Sequence, residues 1–174
     1  GELTHGEGLS LIDEVAEMGT PILILSGGDP LKRRDLLELI WYGKKRGLRV
    51  GTIPAATPLL RREMVRALKR AELDQMALSL DASTEAAHDA FRGVSGAFRK
   101  TMEAAQWAHE VGLPLQINTV MARHNFEDVD LLIETVKRLD VVFWEVFFLV
   151  QTGRGSEVEG LTAEEVEAVF AKLY

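Results

Sequence analysis

A parallel α/β fold is the architecture this sequence predicts, and three observations predict it. Short apolar runs alternate with segments of helical period, the runs recur at about 26 to 28 residues, and glycines close the helices just ahead of them. The runs place strands near 21–25, 48–53, 75–80, 114–120 and 142–149. Between them lie the helical stripes Ile12, Val15 and Ala16; Leu36, Leu39 and Ile40; Leu60, Met64 and Leu68; Val129, Leu132, Ile133 and Val136; and Val166, Val169, Phe170 and Leu173. Gly19, Gly47 and Gly112 stand where helices should end, and Thr162 with Glu165 forms a capping-box pattern before the last stripe. The spacing breaks once. The starts of the third and fourth runs lie about 40 residues apart, so an extra helix or lid-like loop is expected within 83–98. No linker or low-complexity stretch divides the chain, which reads as a single domain over 1–174.

Composition narrows the function classes. The 174 residues are 47% hydrophobic and 27% charged, as in a globular domain, and the formal charge of -7 with a pI near 5.2 argues against a nucleic-acid or anionic-membrane surface. No apolar run approaches the roughly 20 residues that span a bilayer, and the start through Gly6 has neither a basic nor an apolar signal region, so a cytoplasmic location is expected. Cysteine is absent, so these residues offer no thiolates to zinc or to an iron-sulfur cluster. The four histidines His5, His88, His109 and His124 lack the close pairing of a metal site, and no metal ligands are assigned.

In a sheet of parallel strands with right-handed crossovers, ligands gather at the C-terminal strand ends, whether the sheet is a partial barrel or a doubly wound one. Those ends carry Ser26 to Asp29, Pro54 to Thr57, Ser79-Leu80-Asp81, Asn118-Thr119 and Gln151 to Gly155. In the first of them, Gly27-Gly28 abandons side chains where a strand ends. This suits a ligand that approaches the backbone itself, although a tight strand-to-helix turn would place glycines there as well. Gln75, Ala77, Ser79 and Asp81 share one face of their strand, opposite Met76, Leu78 and Leu80. Gln116 and Asn118 similarly oppose Leu115 and Ile117. Polar residues on inward faces suggest a ligand-filled lumen, with internal polar satisfaction as the alternative.

Taken together these signatures resemble the radical S-adenosylmethionine superfamily, in its branch with SPASM-type extensions and haem-biosynthesis-like and peptide-modifying members. Ser26-Gly27-Gly28-Asp29-Pro30-Leu31 is similar to the family's Gly-Gly-Glu-Pro loop, and Ser79-Leu80-Asp81 to its Ser-Leu-Asp strand end. His88-Asp89-Ala90-Phe91-Arg92-Gly93, followed by Gly96-Ala97-Phe98, resembles its His-Asp-x-x-Arg-Gly and Gly-x-Phe stretch. The resemblance implies a partial (β/α)6-type TIM-like barrel with parallel strands, about five βα units of which are present. The first strand and its Cys-x3-Cys-x2-Cys loop are missing, so the chain is expected to be a truncated core of strands two to six within a longer enzyme.

The resemblance further implies two cofactors, S-adenosylmethionine and a four-iron four-sulfur cluster held by residues outside this chain. Gly27, Gly28 and Asp29 would receive the methionine ammonium, a donor that needs carbonyl or carboxylate acceptors. Asp29 stands where Glu is usual, one methylene shorter. Ser79 and Asp81 would hydrogen-bond the ribose or methionine carboxylate, Asn118 would join them, and Val150 would border adenine, with Gln151 where Pro is frequent. A 5'-deoxyadenosyl radical would then take hydrogen from a tetrapyrrole or peptide substrate, with flavodoxin or ferredoxin as electron donor, and no acid-base pair of this chain is assigned as catalytic. Two rivals are a degenerate barrel that only binds a nucleotide or partner, and a doubly wound domain whose Gly27-Gly28 turn cradles phosphate.

Several side chains have two readings at this level. Arg92 could pair with a carboxylate of a ligand or tie the inserted segment to Asp89 or Asp81, while His88 and Asp89 read as supports of that segment. Glu145 could face a substrate or ion-pair with a covering helix. Arg61, Arg62, Arg66, Lys69 and Arg70 read as a solvated helix face, and Phe143, Trp144, Phe147 and Phe148 as core.

Overall fold

The computed structural model describes residues 2–174 apart from the Arg154 side chain; Gly1 and that side chain, both in segments singled out above, lie outside the described residues. In chain order the elements are α1 (His5–Glu17), β1 (Ile22–Leu25), α2 (Leu36–Lys45), β2 (Arg49–Thr52), α3 (Arg62–Arg70), β3 (Gln75–Ser79), α4 (Glu85–Arg92), α5 (Ala97–Glu110), β4 (Leu115–Met121), α6 (Val129–Arg138), β5 (Phe143–Phe148) and α7 (Ala163–Leu173). Short 3-10 turns cover Pro30–Lys32, Arg123–Asp128 and Gly153–Glu157. The strands follow one another in the order β1-β2-β3-β4-β5. A doubly wound sheet reverses its order at a switch point, so this unreversed succession is that of a partial (β/α) barrel and excludes the doubly wound alternative.

Two compact units divide the chain, one of residues 1–78 with 103–115 and one of residues 79–102 with 116–174. In the first, β1 pairs in parallel with β2 from Ile22↔Arg49 to Leu25↔Thr52, and β2 with β3 at Gly51↔Gln75 and Thr52↔Met76. Its core is built from Ile12, Leu39, Ile40, Val50, Val65, Leu68 and Met76. Asp74 closes this unit by accepting the Val50 N–H at 2.6 Å and the Lys44 ammonium at 2.7 Å. In the second, β4 pairs with β5 from Gln116↔Phe143 to Met121↔Phe148 over a core that includes Leu80, Ile117, Met121, Val129, Leu132 and Val169.

Local sequence explains most boundaries. Thr4 and Glu7 build a capping box for α1, and Thr162 with Glu165 does the same for α7. Gly19, Gly47 and Gly112 adopt φ of 73°, 84° and 63°, the left-handed conformation that ends a helix at low steric cost. The insertion between β3 and β4 is a true helix, α4, capped by Thr84 and closed by Gly93 at φ 65°.

Three expectations require correction. The aromatic run of β5 is not core throughout, since Phe143 and Phe147 remain 54% and 46% exposed. They are in register with Gln116 and Val120 on the half-open face of β4, whereas Trp144 and Phe148 align with buried Ile117 and Met121. In β1, Ile22 and Ile24 are about half exposed although they belong to an apolar run, because β1 is an edge strand. Along α3 the buried residues are Val65 and Leu68, and Leu60, fully buried just before the helix, keeps its place in the apolar stripe, while Met64 is only half-buried.

Candidate functional site

Gly27 and Gly28 follow β1 with both residues exposed, and a Cβ on either would meet no atom within 4 Å. Gly27 holds φ 135°, a conformation that residues with side chains rarely adopt. The turn is therefore built for an accessible backbone rather than for close packing. Asp29 behind it is buried, with one carboxylate oxygen accepting the Leu31 N–H at 3.1 Å and the other the Thr57 hydroxyl at 2.8 Å. The first bond caps the 3-10 turn that starts at Pro30. The second joins the loop after β1 to the loop after β2, where Thr52 Oγ1 also donates to the Leu25 carbonyl at 2.8 Å. Two contacts leave acceptor capacity on the carboxylate.

In the second unit Ser79 ends β3 and Asp81 follows it, whereas Asn118, expected at a strand end, sits midway along β4, where its carbonyl accepts the Leu80 N–H at 3.0 Å. Ser79 is half-buried, and its carbonyl accepts the Thr101 hydroxyl at 3.4 Å. Asp81 is fully buried and its carboxylate is engaged inside the protein. One oxygen accepts the Val120 N–H at 2.9 Å, and the other takes Arg92 Nε and Nη2, each at 2.6 Å. Of the two readings open for Arg92, the structure shows the tie to Asp81. Burial pushes the His88 imidazole below its ordinary value, only partly offset by the Asp81 charge, and its Nδ1 accepts the Asp81 N–H at 3.0 Å. Asp89 accepts N–H groups of Gly96 at 2.5 Å and Phe98 at 2.9 Å, caps the entry to α5, and has its carboxyl held below the usual range by those backbone bonds.

Asn118 belongs to a three-residue network on the half-open face of β4 and β5. The Gln116 amide donates to Asn118 Oδ1 at 2.6 Å and to Glu145 Oε2 at 2.9 Å. Glu145 therefore shares this strand face, in register with Asn118, and is bound to a strand neighbour instead of a covering helix. Val150, 72% exposed just past β5, stands apart from that network; its carbonyl accepts the Thr152 N–H at 2.8 Å.

Sequence reasoning gave Asn125 no role, and placed Thr57 only in a ligand-facing strand end and Gln116 only on an inward strand face. The Asn125 amide donates to the carbonyls of Asp81 at 2.8 Å and Val120 at 2.9 Å, and its oxygen accepts the Ala122 N–H at 2.9 Å. An Asn four residues past a strand end is the visible signal for such a turn. Among the described residues no group of His, Asp and Glu side chains is arranged to hold a metal ion, and no helix is long and apolar enough to cross a membrane.

Comparison with known proteins gives this geometry its family. The chain is 41% identical to the AdoMet-dependent heme synthase of Methanosarcina barkeri (strain Fusaro / DSM 804), over all of its own length and 50% of that protein's. It is 36% identical to the PqqA peptide cyclase of Bradyrhizobium diazoefficiens over 83% of its length and 38% of the cyclase's. The chain thus spans about half the length of the curated relatives it matches. The crystal structure of Streptococcus suis SuiB bound to S-adenosylmethionine has the same fold, with a TM-score of 0.81 at 15% identity across 95% of this chain and 38% of SuiB. The family model described as the radical SAM superfamily matches residues 1–136, and the chain belongs to that superfamily.

Proposed function

We propose that this chain is the S-adenosylmethionine-binding core, strands two to six of a single barrel domain, of a cytoplasmic radical SAM enzyme acting on a tetrapyrrole or a peptide. The observation that carries this reading is the 41% identity to an AdoMet-dependent heme synthase along the whole chain, supported by 36% identity to a peptide cyclase. When bound and reduced through a four-iron four-sulfur cluster, S-adenosylmethionine supplies a 5'-deoxyadenosyl radical that abstracts hydrogen from substrate. This chain has no cysteine to hold such a cluster, so its ligands belong to residues outside it, and flavodoxin or ferredoxin is the expected donor class.

The open Gly27-Gly28 backbone fits the cofactor. In the first unit, Gly27, Gly28 and Asp29 receive the methionine ammonium, with Thr57 and the Leu31 N–H holding Asp29 in one rotamer. In the second, Ser79 and Asn118 hydrogen-bond the ribose or methionine carboxylate, Val150 borders adenine, and Asp81 fixes the rim from within. The protein's work here is binding, orientation and exclusion of water, so no general acid or base is required.

The test is anaerobic reconstitution of the full-length protein containing this chain with iron and sulfide, followed by reductant and S-adenosylmethionine. The expected product is 5'-deoxyadenosine. A cluster-loaded protein that binds S-adenosylmethionine yet releases none would be a binding module instead.

A further inference from the structure

Just past the end of β3, side chains add to the strand pairing with β4. Beyond the Leu80 N–H to Asn118 carbonyl bond, the backbone groups of Asp81 and Val120 are satisfied by their surroundings. Val120 N–H donates to the Asp81 carboxylate, Asp81 N–H to His88 Nδ1, and both carbonyls accept from the Asn125 amide. Thr119 Oγ1 adds a 2.6 Å bond to the Leu80 carbonyl. Ser79 and Asn118 each lie two residues ahead of this clasp.

The clasp depends on a carboxylate with no exposure, and such a group is tolerated only when paired and hydrogen-bonded. Arg92 supplies the pairing. It stands four residues after His88 on the same face of α4, so one helix presents both groups to Asp81. That helix is itself fixed at both ends by Thr84 and by Gly93, and Asp89 on it caps the start of α5.

We propose that Arg92 is a positioning residue: acting through Asp81, it sets where β3 and β4 hold Ser79 and Asn118, and thereby the affinity for S-adenosylmethionine. This rests on the cofactor reading above. It assigns to the inserted helix, not to the strands, control of the nucleoside-facing rim.

The experiment uses the full-length, cluster-loaded protein and measures calorimetric S-adenosylmethionine affinity together with KM and kcat for 5'-deoxyadenosine release. Arg92→Gln should raise Kd and KM for S-adenosylmethionine about tenfold, with a much smaller fall in kcat, because the loss is in binding. Arg92→Lys keeps the charge without the fork and should fall between. The double change Asp81→Asn with Arg92→Gln should restore Kd to within about threefold of wild type, since a neutral amide still accepts the Val120 N–H and no unpaired charge is buried. An Arg92→Gln protein that melts earlier but binds S-adenosylmethionine as wild type does would overturn the positioning role. So would a double variant no better than the single one. Wild-type protein that binds no S-adenosylmethionine would instead overturn the cofactor reading itself. Should Arg92→Gln fail to fold, Arg92→Lys and the double variant give the same comparison.

Discussion

The Arg123 guanidinium grips Glu165 through both carboxylate oxygens at 2.5 Å and pulls its pKa from 4.5 to about 2. A depressed folded-state pKa means that the unfolded chain binds more protons at acid pH, so this stabilisation is present above about 4.5 and is lost as the pH falls toward 2. Stability profiles of wild type and Glu165→Gln should therefore differ at neutral pH and converge over that window in urea titrations; parallel profiles would contradict the assignment. His88 obeys the same sign. Burial holds it neutral below the ordinary 6.5, so its contribution is present above that pH and erodes as the pH falls below it. Its ring resonances in an NMR titration should change at lower pH than those of an exposed histidine. The charge pattern alone cannot show either effect, because Arg123 and Glu165 are separated by 42 residues and meet only through the fold.

At the scale of elements, α2 packs tightly on β2 at Gly43, where a Cβ would lie 2.9 Å from Val50 Cγ2. Alanine is the better helix former by about 1 kcal/mol, yet Val50 is buried in β2 and has little room to yield. Gly43→Ala should therefore destabilise, by roughly 1–3 kcal/mol in urea denaturation, and Val50→Ala should relieve much of that effect when combined with it. The elements themselves were largely legible. All five strand runs lie within two residues of the observed limits, because alternation and glycine punctuation are local signals. Burial was less so. Phe143 and Phe147 are as apolar as Trp144 and Phe148, and only the register against β4 separates the two pairs.

For the whole molecule, that register predicts tolerance at the half-open strand face. Phe143→Ser should cost about 1 kcal/mol or less, against the roughly 3–5 kcal/mol of truncating a fully buried aromatic, as a thermal melt would read. The absence of cysteine predicts that these 174 residues alone bind S-adenosylmethionine weakly, and tight calorimetric binding without any cluster would contradict that dependence. The sequence by itself determined the parallel α/β class, the element order and the superfamily, because periodicity, turn chemistry and ordered motifs are properties of neighbours along the chain. Only the tertiary structure decided that Asp81 is buried inside a clasp, that Arg92 neutralises it, and that Glu145 turns to Gln116. Burial and pairing depend on residues distant in sequence, and a carboxylate's role follows from which of them it meets.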